Sequence, residues 1–169
     1  MNLAPPRVEF FMWLALLEKL NTKELLWRKG VLQEDQIECT FCSVQVESSS
    51  HLLMSCPVSW KVWCTIAEDL NQELHMPDSF RMHYEVWMGR KWRNATYRKL
   101  WCTTFFAVAW SLWLVRNEII FQHKELDMEL LCNLIRWRVA CWTKAWKEKL
   151  PYNCNELARK FDVIPVLFS

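Results

Sequence analysis

Apolar residues recur along this chain at helical spacing, and no stretch alternates for long in the manner of a strand. Pro5 and Pro6 precede the first helical pattern, where proline is tolerated in an opening turn. Val8, Phe11, Leu14 and Leu17 fall on one face of it, with Phe10, Trp13 and Leu20 beside them. Asn21-Thr22 reads as the N-cap of a short helix from Lys23 to Lys29, stopped by Gly30 with Arg28 and Lys29 in its last turn. Pro57 starts a third helix reaching Asn71 and burying Val58, Val62, Ile66 and Leu70. A short helix is expected around Met82–Met88, and a long one from Asn94 to Gln122. Asp127 caps a last long helix that ends before Pro151, with the stripe Leu131, Leu134, Ile135, Arg138, Trp142 and Trp146. The tail from Tyr152 carries an apolar run, Val163 to Phe168, that reads as a hydrophobic cap or a short strand. The expected fold is therefore all-α.

Composition agrees with this reading. Only 2 Gly in 169 residues argue against a turn-rich sheet and against a phosphate-cradling loop, whereas 52% hydrophobic residues are enough for a sizeable core. The 12 Trp need an explanation, and large aromatics at helical spacing ordinarily fill core. The most apolar run, Leu100 to Val115, is shorter than the ~20 residues of a membrane span and contains Thr103, Thr104 and Ser111. It is expected to be a buried helix, with no membrane partner. Four segments follow: a helical region over 1–72 that holds a cysteine-rich loop, a linker with a basic stretch over 73–93, two long helices over 94–150 that pack on the first region, and a tail over 151–169.

One loop in the first region interrupts the helical pattern. It reads CTFCSVQVESSSHLLMSC and places Cys39, Cys42, His51 and Cys56 in the spacing C-x2-C-x8-H-x4-C. Three thiolates and one imidazole make a closed tetrahedral set for zinc. A closed set leaves no position for substrate, so one structural ion is expected rather than a catalytic one. Ordinary buried thiols and a redox pair are the alternatives. The redox reading lacks a strand-then-helix setting for Cys39-Thr-Phe-Cys42 and leaves His51 and Cys56 unexplained. Ser50 is placed to cap the turn that carries His51. The other five cysteines, Cys64, Cys102, Cys132, Cys141 and Cys154, are scattered, and MNLAPPRVEF has no basic n-region before an apolar run. Reduced thiols in a nuclear or cytoplasmic protein are expected.

These residues resemble the zinc-binding region of plant LINE-like (non-LTR) retrotransposon reverse transcriptases. The resemblance runs through Pro5-Pro6-Arg7-Val8-Glu9-Phe10-Phe11-Met12-Trp13, Asn21-Thr22-Lys23-Glu24-Leu25-Leu26, the Cys39/Cys42 pair and Glu47. It continues in His51-Leu52-Leu53-Met54-Ser55-Cys56-Pro57 and Trp60-Lys61-Val62-Trp63. It covers about residues 4–65 and extends more loosely to the run from Trp110 to Phe121, with Arg116-Asn117 inside it. The resemblance implies zinc binding, and nucleic-acid handling by association with a polymerase. The polymerase itself is not here, since no Tyr-x-Asp-Asp run occurs. Nor is a carboxylate set for two-metal ribonuclease H chemistry, because the acidic residues are scattered over helical patterns. A connector region derived from a retrotransposon, without enzymatic activity or a small-molecule substrate, is the expectation.

Charge locates the candidate nucleic-acid surface. Residues 1–79 hold 6 Lys/Arg against 11 Asp/Glu, whereas residues 80–169 hold 15 against 8. The positive charge is densest at Arg90, Lys91, Arg93, Arg98 and Lys99, with Trp92 and Tyr97 interleaved for base stacking or cation–π support. A solvated helix start is the competing reading. Arg136, Arg138, Lys144, Lys147 and Lys149 would extend the surface if the last two helices lie side by side. Trp60, Trp63 and Phe41 are expected in the core rather than against bases. His75, His83 and His123 have no partner at ligand spacing and are expected on the surface. Arg116 is expected to have a packing role, with Glu118, Glu125 or helix-end carbonyls as the partners within its reach. RNA or single-stranded DNA is the expected partner; self-association through exposed aromatics is the rival.

Overall fold

A computed structural model describes residues 3–146, 150 and 152–167. The fold is all-α: α1 (Pro6–Leu16), α2 (Lys23–Arg28), α3 (Pro57–Asp69), α4 (Phe80–Gly89), α5 (Ala95–Gln122), α6 (Met128–Trp142), α7 (Cys154–Arg159) and α8 (Ile164–Leu167). A single π-helical turn, His51–Ser55, precedes α3. The only β pairing among the described residues is an isolated bridge between Glu38 and Val46.

Local chemistry explains most helix boundaries. Thr22, Ser79, Asn94 and Asp127 each accept a backbone N–H of the first turn that follows, satisfying donors with no partner inside the helix. Gly30, at φ +73°, takes the left-handed conformation just beyond α2, as expected of a C-terminal stop. His123 does the same after α5 at φ 54°, a less common choice for a residue with a Cβ.

Helix α5 is the centre of the fold, with α1, α3, α4 and α6 packed against it. By length and composition it would suffice to cross a membrane. Every residue from Leu100 to Ala109 is buried in the core, which accounts for that apolarity. Tryptophans fasten the neighbours. Trp87 of α4 and Trp101 of α5 stack with centroids 3.9 Å apart and planes 10° apart. Each donates its Nε1–H to the other's backbone carbonyl at 2.9 Å. Trp63 of α3 is fully buried and donates to Leu53 O at 2.7 Å. Burying an indole is favourable when its single donor finds an acceptor, and these three do.

Several expectations need correction. The buried face of α1 is Val8, Phe11, Met12 and Ala15, so Leu17 is exposed and Phe10 and Trp13 point to solvent. Helix α6 becomes a 3₁₀ turn, Thr143–Ala145, well before Pro151, which lies outside the described residues. Its buried side chains are Leu131, Cys132, Ile135, Val139 and Ala140, and Leu134 is exposed. The tail is helical rather than a strand: α7, a 3₁₀ turn at Phe161–Val163 and α8, with Leu157, Phe161 and Ile164 in the core. Phe168 lies outside the described residues. His83 is buried, not on the surface, whereas His75 and His123 are exposed.

Candidate metal centre

The loop between α2 and α3 folds around the four expected ligands. The bridge Glu38–Val46 closes its neck, with Cys39 N–H donating to Gln45 O at 2.7 Å. Ser43 N–H donates back to Cys39 O at 2.8 Å, and Ser43 is left-handed at φ 51°. That tight turn brings Cys39 and Cys42 to one side. The π turn carries His51 and returns the chain so that Cys56 N–H donates to His51 O at 2.8 Å. Pro57 at the first position of α3 then fixes Cys56 as the residue before the helix. The turn is capped by Ser48, not Ser50: His51 N–H donates to Ser48 Oγ at 3.0 Å. Ser50 Oγ instead accepts Phe80 N–H at 2.8 Å, tying the loop to α4.

One ligand atom from each of Cys39, Cys42, His51 and Cys56 lies within 4.8 Å of all the others. Cys39 and Cys56 have their sulfurs 3.9 Å apart, and Cys42 Sγ is 3.3 Å from His51 Nε2. A tetrahedral zinc with Zn–S of about 2.3 Å has sulfur–sulfur edges of about 3.8 Å, so the set fits that ion. His51 Nδ1 sits 3.4 Å from Ser55 Oγ. A proton on Nδ1 directed at that hydroxyl leaves Nε2 free to coordinate, and such an outer partner fixes the ring.

The thiols themselves point to a cation. Contact with the Cys56 sulfur, and then burial, push the Cys39 thiol well above its ordinary range. The contact with Cys39 draws the Cys56 thiol down, against burial, helped by backbone N–H groups of Ser59 and Val58 at the start of α3. Backbone N–H groups of Cys42 and Phe41 face the Cys39 sulfur in the same way. Two buried sulfurs this close cannot both be thiolates unless a positive charge lies between them, which zinc supplies. All four residues are buried or half-buried, beside Leu52, Phe41, Val58 and Trp113.

An ion pair that the sequence did not reveal joins this loop to α5. Glu47 is fully buried, and Arg116 is almost so. Arg116 donates to Glu47 Oε1 from Nε at 3.1 Å and from Nη2 at 2.7 Å. The same carboxylate accepts Lys23 N–H at 3.1 Å and Thr40 N–H at 3.0 Å, so it also gathers the start of α2 and the knuckle. Burial alone would raise the Glu47 carboxyl; the Arg116 charge and hydrogen bonds, with Thr40, hold it below its ordinary value. Arg116 therefore does not pair with Glu118 or Glu125. The signal was its place at the end of an apolar helical run, where a charge turned inward needs a distant partner.

The basic stretch lies where α4 meets α5. Arg90, Lys91, Arg93 and Arg98 are exposed and form no ion pair among the described residues. Lys99 is half-buried with its Nζ 4.5 Å from the centroid of the Trp146 ring. Tyr97 is buried and donates its hydroxyl to Leu70 O at 3.0 Å, so its ring belongs to the core. Trp92 is half-buried, 4.6 Å from the Tyr97 ring and 5.3 Å from that of Trp101. The α6 residues add little: Arg136 is paired with Asp69 at 2.8 Å, and Arg138 is held by Ser111. Lys144 is exposed, while Lys147 and Lys149 lie outside the described residues.

No curated protein and no solved structure matches this chain. A family model does match its first part, and that part ends in α3 just after the fourth ligand. The match and the Cys3His cluster together support a zinc ion held by the loop. Residues 1–63 match the family described as zinc-binding in reverse transcriptase.

Proposed function

We propose that this chain is a non-enzymatic connector domain derived from a plant LINE-like retrotransposon reverse transcriptase. It binds RNA or single-stranded DNA weakly through the surface at the α4–α5 corner, in the nucleus or cytoplasm. The observation that carries this reading is the group of four exposed cations, Arg90, Lys91, Arg93 and Arg98, with no acidic partner among the described residues, in a chain whose other half is acidic. Phosphate contacts of this kind are sequence-tolerant and release counterions, so affinity falls steeply with salt. Four contacts to a single strand predict a slope of log affinity on log salt of about −3. Titrating zinc-loaded protein against labelled single-stranded RNA at low and high salt tests the reading. Binding at low salt that falls steeply at high salt, and is lost on Lys91→Glu, Arg93→Glu and Arg98→Glu together, is expected; equal binding by that variant would overturn it.

A second reading is a self-association module, favoured by Phe10 and Trp13, 60% and 54% exposed with rings 5.8 Å apart on the outer face of α1. It predicts mass that grows with concentration and hardly changes with salt.

A further inference from the structure

Two clefts flank the basic stretch, and neither was visible in the sequence. One, of about 500 Å³, is lined by Gln72, Lys91, Trp92, Arg93, Asn94 and Tyr97, with Pro165 at its edge. The other, of about 280 Å³, lies between α4 and the 73–75 segment. Its walls include His83, Val86, Trp87 and Trp101, and its polar residues are Glu73, His75 and Arg90. Arg90 stands at the boundary, its guanidinium carbon 5.3 Å from the Trp92 ring centroid and 5.5 Å from that of Trp101. Each cleft includes a residue whose buried ring nitrogen has no hydrogen-bond partner among the described residues, Trp92 Nε1 in the first and His83 Nε2 in the second.

The occupant must satisfy three conditions. It must be flat and largely apolar, to lie against the half-buried Trp92 ring in one cleft and Leu74 and Val86 in the other. It must carry polar edges, since Gln72 in one cleft and Glu73 in the other offer hydrogen bonds. It must be anionic at the rim, where Arg90, Lys91 and Arg93 stand exposed. An unpaired nucleotide meets all three: base in the cleft, phosphate on the cations. Two such clefts side by side suit two neighbouring nucleotides of one strand.

We infer that the clefts on either side of the Arg90–Trp92 contact are base pockets for adjacent unpaired nucleotides of a single strand whose phosphates lie on Arg90, Lys91 and Arg93. This rests on the nucleic-acid reading above and adds base contacts to it. Glu73 accepts from base amino groups and repels phosphate, which keeps the strand's backbone on the Arg90 side.

The test uses the zinc-loaded full chain and three labelled oligonucleotides of equal length at low salt: intact, with two adjacent central abasic units, and wholly abasic. Each is made as RNA and as DNA. The intact strand is expected to bind about tenfold or more tightly than the wholly abasic one, since base–aromatic stacking is worth that much per base. The central abasic pair should remove most of the difference. Val86→Trp, an exposed α4 position that fills the smaller cleft, should narrow the gap while melting normally. Photo-crosslinking of a 4-thiouridine strand to the unaltered protein should give adducts within residues 72–101. Equal binding of intact and abasic strands would overturn the base pockets and leave the phosphate surface standing. Adducts confined to other segments would overturn them too. Absence of binding by every strand would overturn both readings.

Discussion

Glu47 in the metal loop and Arg116 near the end of α5 form a buried, doubly hydrogen-bonded ion pair across 69 positions of sequence, at 3.1 and 2.7 Å. The pair fixes the loop to α5, beside the anchoring that its buried Leu53 and Met54 make in the helical core. Glu47 also holds Lys23 N–H and Thr40 N–H, so three segments meet at one carboxylate. Removing one partner would leave the other charge buried and uncompensated. Arg116→Met and Glu47→Gln should each destabilise the chain by about 3–5 kcal/mol, measured by urea unfolding. A double-mutant cycle should show that the two losses do not add. Additive losses would mean that the pair is not coupled.

Stability should fall on acidification, for two reasons with the same sign. The Glu47 carboxyl is held below its unfolded value, so its contribution is present above that value and disappears as pH falls through the folded one. His83 is enclosed by Trp60, Trp63, Trp87 and Phe105, and burial lowers it from 6.5 to about 4. Between those values the unfolded chain takes up a proton that the folded chain refuses, so stability drops as pH goes from 6.5 towards 4. The histidine alone accounts for about 3 kcal/mol over that range. His83→Leu should flatten this segment of the stability–pH curve, followed by denaturant midpoints in matched buffers. An unchanged slope would remove His83 from the account.

The Trp87–Trp101 pair joins α4 to α5 by a stack and two reciprocal hydrogen bonds. Trp101→Phe keeps a ring but leaves Trp87 O unpaired in the core, which should cost about 1–3 kcal/mol. Trp101→Ala also opens a cavity and should cost about 3–5 kcal/mol. Both are read from thermal or urea melts of the zinc-loaded protein, and a smaller loss for alanine than for phenylalanine would contradict the packing account.

The sequence made the ligand set legible because C-x2-C and H-x4-C are local spacings, and loop geometry delivers their sulfurs to one point. Helix positions were legible for the same reason: caps such as Thr22, Asn94 and Asp127 act within one turn. What failed was orientation. Nearly every residue of α1 is apolar, so periodicity could not tell the Val8–Phe11–Met12–Ala15 face from the one that carries Leu14 and Leu17. His83 offered no local sign of burial, because its aromatic enclosure comes from α3 and α5 as well as α4. Arg116 looked like a helix-end cation, since its partner lies in another segment altogether. Tyr97 looked available for stacking because a basic neighbourhood suggests solvent, yet its hydroxyl is on Leu70 O.

The central claim is that zinc at Cys39, Cys42, His51 and Cys56 is part of the fold. Cys39, Leu52 and Cys56 form a small buried cluster of their own beside the main core, and Glu38–Val46 is the loop's one strand-like pairing, so the ion is expected to order the knuckle that these residues build. The most direct measurement is a thermal melt of the chain stripped by chelator, with and without one equivalent of zinc, beside Cys42→Ser. The account predicts a cooperative melt restored by one zinc per chain, and a variant that neither retains zinc nor regains the transition. A stripped chain and a Cys42→Ser chain that both melt like the zinc-loaded protein would contradict it.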